Sequence, residues 1–151
     1  MRFKHALATF TSVALAAVIV PAVATPAAAA PPTTYASVRA TDWSFSGSVS
    51  IGWRLRPYSL DPVTISVQDD APDGYAIGAR LITNGENGHI VWRMRTIPSG
   101  QDTATWTTYA TPGGYINNAY IEVCKIKVST GVIAFCQSSD VMSAPFDDSS
   151  A

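Results

Sequence analysis

The side chains able to do covalent or acid–base chemistry are few and widely spaced. Cys124 and Cys136 are the only cysteines, and they lie symmetrically about Thr130. The pairs Ile126 with Ala134 and Val128 with Val132 share that centre. A hairpin with residues 129–131 as a three-residue loop, and Gly131 in the left-handed conformation, would set all six side chains on one face with the sulfurs opposite each other. In an exported protein that pair is expected to form a disulfide. Two buried thiols are the competing reading. A metal site is disfavoured, because no histidine stands near the pair in sequence as a zinc motif requires.

Catalytic constellations are hard to assemble from the rest. His89 is the only histidine beyond residue 5, so a histidine-based hydrolase would have to use it. No Gly-x-Ser-x-Gly elbow accompanies it. Glu86 and Glu122 are the only glutamates, and Glu86 falls in a predicted turn, which makes a poor start for the two-carboxylate chemistry of glycoside hydrolysis. Asp69, Asp70 and Asp73 cluster before Gly74, offering oxygen ligands for calcium, but Asp-Gly sequences also form turns for backbone reasons alone. No cofactor is expected.

Binding chemistry is better represented. Arg54, Arg80, Arg93 and Arg95 fall on predicted strands, and two or three on one sheet would make a cationic patch able to fork onto carboxylate, sulfate or phosphate. Of the four tryptophans, Trp43, Trp53 and Trp92 share parity with apolar neighbours and are expected in the core. Trp106, set among threonines, is expected to be the most exposed, with Tyr109 and Tyr115 around the turn at 111–114. Candidate contacts for a ligand are therefore Arg93, Arg95, Trp106 and Tyr109.

The elements that must position these residues follow a period of two. From residue 43 to 55 the odd positions are large and apolar except Gly47, while the even ones are mostly serine. That alternation marks a half-buried strand. Further alternating stretches span 63–68, 75–83, 89–97, 103–109, 116–128 and 132–137, punctuated by Gly, Pro, Asn and Asp at 56–62, 69–74, 84–88, 98–102, 111–114 and 129–131. The pattern predicts an all-β domain, an antiparallel two-sheet sandwich of about seven or eight strands closed by a disulfide-bridged C-terminal hairpin.

The N-terminus sets the expected compartment. Arg2 and Lys4 precede an apolar run over residues 6–20 and a stretch rich in small residues, the layout of a secretory signal peptide cleaved after Ala29. Pro21 and the many Ala and Thr residues argue against a membrane-spanning helix. The domain plan is then a leader at 1–29, a Pro-rich spacer at 30–34, one domain over 35–145 and a flexible tail at 146–151. Cleavage leaves eight Lys and Arg against eleven Asp and Glu, a formal charge of −3. Nucleic acid and anionic membranes are thus not expected partners. The positive mean hydropathy, +0.14, belongs largely to the leader.

Asp73-Gly-Tyr through Arg80-Leu81, the Trp92 strand, Ala104-Thr-Trp-Thr-Thr108, Asn118-Ala-Tyr-Ile-Glu-Val-Cys-Lys125 and the closing Cys136 together give the chain a further affinity. Over residues 73–138 it resembles the small secreted proteins of unassigned function found in filamentous actinobacteria. The resemblance implies an exported, disulfide-stapled β-domain and brings no activity with it. The expected function is a non-catalytic, monomeric extracellular binding module for a surface polymer or protein. The alternatives are a proteinase inhibitor presenting Lys125, Lys127 and the hairpin tip or the 98–102 loop, a small hydrolase using His89, and a structural extracellular protein.

Overall fold

The computed structural model describes residues 29–55, 58–97 and 103–146. The expected leader up to residue 28, Arg56 and Pro57, the turn expected at 98–102 and the tail expected beyond Phe146 lie outside the described residues. Ten strands and no helix occupy the described chain: β1 Thr33–Arg39, β2 Phe45–Leu55, β3 Tyr58–Asp69, β4 Tyr75–Gly85, β5 Gly88–Val91, β6 Arg95–Ile97, β7 Thr103–Ala110, β8 Ile116–Lys127, β9 Val132–Ser138 and β10 Met142–Ser143. One sheet has the order β1-β2-β3-β7. The other has the order β10-β8-β4-β5, with β6 also on β4 and β9 also on β8. All pairings are antiparallel, and the two sheets enclose one apolar core.

The strand count exceeds the expected seven or eight for two reasons. The 89–97 stretch is two strands, because residues 92–94 leave the edge of β4 between β5 and β6. Two strands, β1 and β10, also carry too few large apolar residues to register as alternating segments. β1 begins inside the stretch read as spacer: Thr33 pairs with Gly52 and Thr34 with Ile51. Trp53 fastens that start, its Nε1 donating to Thr34 Oγ1 at 2.7 Å and its backbone N–H to the Pro32 carbonyl at 2.9 Å.

Inward positions obey the alternation of β2. Phe45, Val49, Ile51 and Trp53 are buried and meet Ile77, Ala79 and Leu81 of β4 and Ala119, Ile121 and Val123 of β8 in one cluster. Each large aliphatic side chain removed from water there contributes about 1.5–3 kcal/mol. Gly47 breaks the pattern because the opposite sheet reaches into its place: a Cβ there would stand 2.6 Å from Val123 Cγ2. Gly47→Ala is expected to lower unfolding free energy by about 1–3 kcal/mol through overpacking. Adding Val123→Ala should recover part of the loss, a non-additivity that urea titration of the two single variants and the double variant measures.

Two expectations change at the turns. Trp43 is not in the core but 68% exposed. Its φ of 62° places it in the left-handed region, within a turn closed by its own N–H to the Ala40 carbonyl and by Ala40 N–H to Phe45 C=O. Inward alternation therefore starts at Phe45, while the Trp43 ring lies outside beneath the Arg39 guanidinium, 4.7 Å from its centroid. In the C-terminal hairpin, Cys124 pairs with Cys136 and the disulfide is formed, S–S 2.07 Å. Below the cysteines the pairs are Ile126 with Ile133 and Lys127 with Val132, not Ile126 with Ala134 and Val128 with Val132. The reason is a four-residue loop in which the N–H groups of Thr130 and Gly131 both reach the Lys127 carbonyl. That extra residue shifts the register by one, and a bulge at Ala134 shifts it back. Gly131 does adopt a positive φ, 67°.

Candidate functional site

Among the described residues β7 pairs only with β3, leaving its other edge open, while β5 and β6 form the facing edge of the second sheet. Between them lies an open cleft of about 520 Å³. Arg93, Arg95, Trp106 and Tyr109, the four residues singled out by type and parity, all line it. Its floor is apolar, made by Ile65, Ala79, Leu81 and Ala110, all of them buried.

The walls follow from how the edge strand breaks. After Val91 the chain keeps one further bond to β4, Trp92 N–H to the Leu81 carbonyl at 3.0 Å, before β6 resumes at Arg95. Trp92 turns inward, and its Nε1 donates to Thr83 Oγ1 at 3.0 Å, so the indole is half-buried with its polar atom satisfied. Trp106 forms the other wall. Contrary to its expected exposure it packs against the core, because residue 106 pairs with Ile65 and shares its inward face, and Thr105 and Thr107 take the outward positions. Trp92, which alternation assigned to the core, does pack against it, half-buried, and its remaining surface lines the cleft.

The rim is cationic. Arg93 and Arg95 are exposed, and neither has a hydrogen-bond or ion-pair partner among the described residues. The other described arginines are engaged. Arg54 meets Asp61 at 3.0 Å, Arg80 meets Glu122 through Nη2 at 2.7 Å and Nε at 2.8 Å, and Arg39 covers Trp43. Tyr109 is 70% exposed at the mouth. Tyr115 does not join it: its ring meets Tyr58 edge-on at 6.4 Å and borders a different cavity.

The remaining candidates separate from this cleft. His89 is exposed, with Nδ1 2.8 Å from Asn84 Oδ1, an amide rather than the carboxylate a catalytic triad places there. Asp69 Oδ1 accepts the Ala71 N–H and Asp73 Oδ1 the Tyr75 N–H, each at 3.1 Å, while Asp70 Oδ1 accepts from Gln68 Nε2 at 2.6 Å. These carboxylates fold the β3–β4 turn, and burial pushes that of Asp69 up from its ordinary range. The metal-capable grouping among the described residues is Glu122 with Cys124 and Cys136, whose sulfurs are bonded to each other and whose carboxylate is held by Arg80. Lys125, offered as an inhibitor contact, is turned inward with its side chain 13% exposed, and its ammonium is held by Asp73. No protein-family model and no curated protein matches the chain.

Proposed function

We propose that the chain is a non-catalytic binding module that works outside the cell and holds a carboxylate- or sulfate-bearing segment of a surface polymer in the cleft between β7 and the β5–β6 edge. One observation carries this reading: Arg93 and Arg95, the two arginines without a partner among the described residues, stand at the rim of a cleft walled by Trp92 and Trp106. A guanidinium can fork onto an anionic group, and aromatic faces can stack on a sugar ring. The apolar floor at Ile65, Ala79 and Leu81 fits such a ring better than it fits water. An oxidising compartment accords with the Cys124–Cys136 disulfide and with the leader pattern at 1–29. No helix of the described residues is long and apolar enough to cross a membrane.

Polygalacturonate, as a defined polyanion, is expected to raise the melting temperature and give a measurable Kd by calorimetry, while neutral dextran gives neither. Binding should weaken as ionic strength rises. Charge-assisted hydrogen bonds contribute about 1.5–3 kcal/mol each, so Arg93→Gln with Arg95→Gln should weaken Kd at least tenfold. A panel of carboxylated and sulfated polymers that leaves the melting temperature unmoved would overturn the reading.

A further inference from the structure

The outward face of the first sheet is a second surface, and none of the residues in its three central rows lines the cleft. Antiparallel register sets side chains from four strands in straight rows across it. Tyr35, Ser50, Thr64 and Thr107 make one row. Ser37, Ser48, Ser66 and Thr105 make the next. A third row runs from Arg39 to Thr103 through Ser46 and Gln68.

The chemistry of this grid is nearly uniform. The first two rows carry no charge; the third has Arg39 at its corner, over the Trp43 ring, and the Asp70 carboxylate beside it, accepting from Gln68 Nε2 at 2.6 Å and from Ser46 Oγ at 3.5 Å. The other sheet differs, because the Arg80–Glu122 pair stands on its outward positions. Free sheet edges commonly carry charges that discourage strand pairing, yet β7 has none from Thr103 to Ala110 and β1 none before Arg39. Within the grid the hydroxyls orient one another across strands: Ser66 Oγ lies 2.8 Å from Thr105 Oγ1, and Thr64 Oγ1 lies 3.3 Å from Thr107 Oγ1. Tyr35 and Tyr109 stand at opposite margins of the same face, 68% and 70% exposed.

We propose that this face lies flat on a neutral polysaccharide in extended ribbon form, hydroxyl against hydroxyl, with Tyr35 and Tyr109 stacking on sugar rings at its margins. Strands repeat about every 4.8 Å across the sheet and alternate side chains about every 6.7 Å along it. The cross-strand repeat is close to the advance per sugar of an extended β-1,4-linked chain. Stripping water from a charge is costly, whereas hydroxyls exchange water for glycan hydroxyls at little penalty. The absence of charge from the Tyr35 and Ser37 rows suits a surface that is dehydrated on docking against an uncharged solid, with the Arg39 and Asp70 charges left at its border.

Depletion of the oxidised protein onto microcrystalline cellulose and onto insoluble chitin tests this. Wild type should be retained on at least one of them, and Ser48→Lys with Thr105→Lys should weaken retention tenfold or more at an unchanged melting temperature. Ser48→Thr, which keeps the hydroxyl, should stay within twofold of wild type as the conservative control. Arg93→Gln with Arg95→Gln should also stay within twofold, which separates this face from the cleft. No retention of wild type on either solid, or equal retention of the double-lysine variant, would overturn the proposal. So would a concentration-dependent dimer abolished by Ser48→Lys, which would give the face to a second copy of the chain.

Discussion

Replacing both cysteines by serine is expected to lower the melting temperature by about 10 °C, corresponding to roughly 3 kcal/mol from the short loop the bridge closes. The ribbon it holds has little else to secure it. Among the described residues β9 pairs on one side only, with β8, and Val132, Ile133 and Phe135 remain exposed. Phe135 contributes one ring contact, its centroid 6.0 Å from that of the buried Phe45. Cys124 itself is fully buried, so its sulfur also fills space that a serine hydroxyl would leave poorly solvated. Calorimetric melting of the oxidised and double-serine proteins gives the size of the effect. Hydrogen exchange gives its location, since amides of residues 132–138 should lose protection before those of β4. The cleft lies at the other edge of the second sheet, beyond β4, so its ligand affinity should not change with the bridge. A melting temperature within two or three degrees of the oxidised protein would mean that packing of β9 alone secures the ribbon.

That bridge was legible because both features that set it are local: two cysteines equidistant from a turn, with β-branched residues on either side. The pairs below it were not, since a loop one residue longer and a bulge at Ala134 cancel each other at the cysteines and nowhere else. Alternation placed Trp53 correctly in the core and failed at Trp43 for a similar reason. Parity holds only while the chain stays extended, and a positive φ at residue 43 ends it. For Trp106, neighbouring threonines suggested exposure, yet in a strand flanking residues report the opposite face and not one's own. β1 went unseen because its inward residues, Ala36 and Val38, are small.

The exposure of Arg93 and Arg95 was readable from their shared parity. Their meeting with Trp106 and Tyr109 was not. Those residues belong to different sheets, and the cleft exists because the edge of β4 is covered by two short strands instead of one. How two sheet edges stand apart depends on the packing between layers, which no local pattern encodes. The hydroxyl grid is an intermediate case: the serines at 46, 48 and 50 announce one polar column, but only the register of four strands turns columns into rows.

Lys125→Ala is expected to destabilise the domain by about 2–3 kcal/mol, more than an exposed ion pair contributes, because this lysine closes one end of the sandwich. It follows Ala119, Ile121 and Val123 on the inward side of β8, and its stem runs past the core to an ammonium 2.5 Å from Asp73 Oδ2 and 3.8 Å from Asp42 Oδ2. The Tyr75 ring lies 5.1 Å away. The β1–β2 turn of the first sheet and the β3–β4 connection that joins the two sheets thus converge on one cation of β8. Burial works against that charge, but the hydrogen bond to Asp73, with the Asp73 and Asp42 carboxylates and Tyr75, outweighs it and raises the Lys125 pKa above its ordinary value of 10.5. A raised lysine stabilises fully below the unfolded value, and the contribution is lost as pH rises through the folded one. Asp42, held low chiefly by the Ser44 hydroxyl and backbone N–H, behaves in mirror image, its contribution present above pH 3.8 and lost as pH falls through the folded value. Asp69 is raised by burial, so on acidification it protonates ahead of Asp42 and offsets part of that loss. Urea unfolding across pH should therefore show a wild-type advantage over Lys125→Ala that is flat through neutrality and narrows above pH 10.5. An advantage that persists unchanged through that alkaline range would mean the stem of Lys125, and not its charge, ties the turns together.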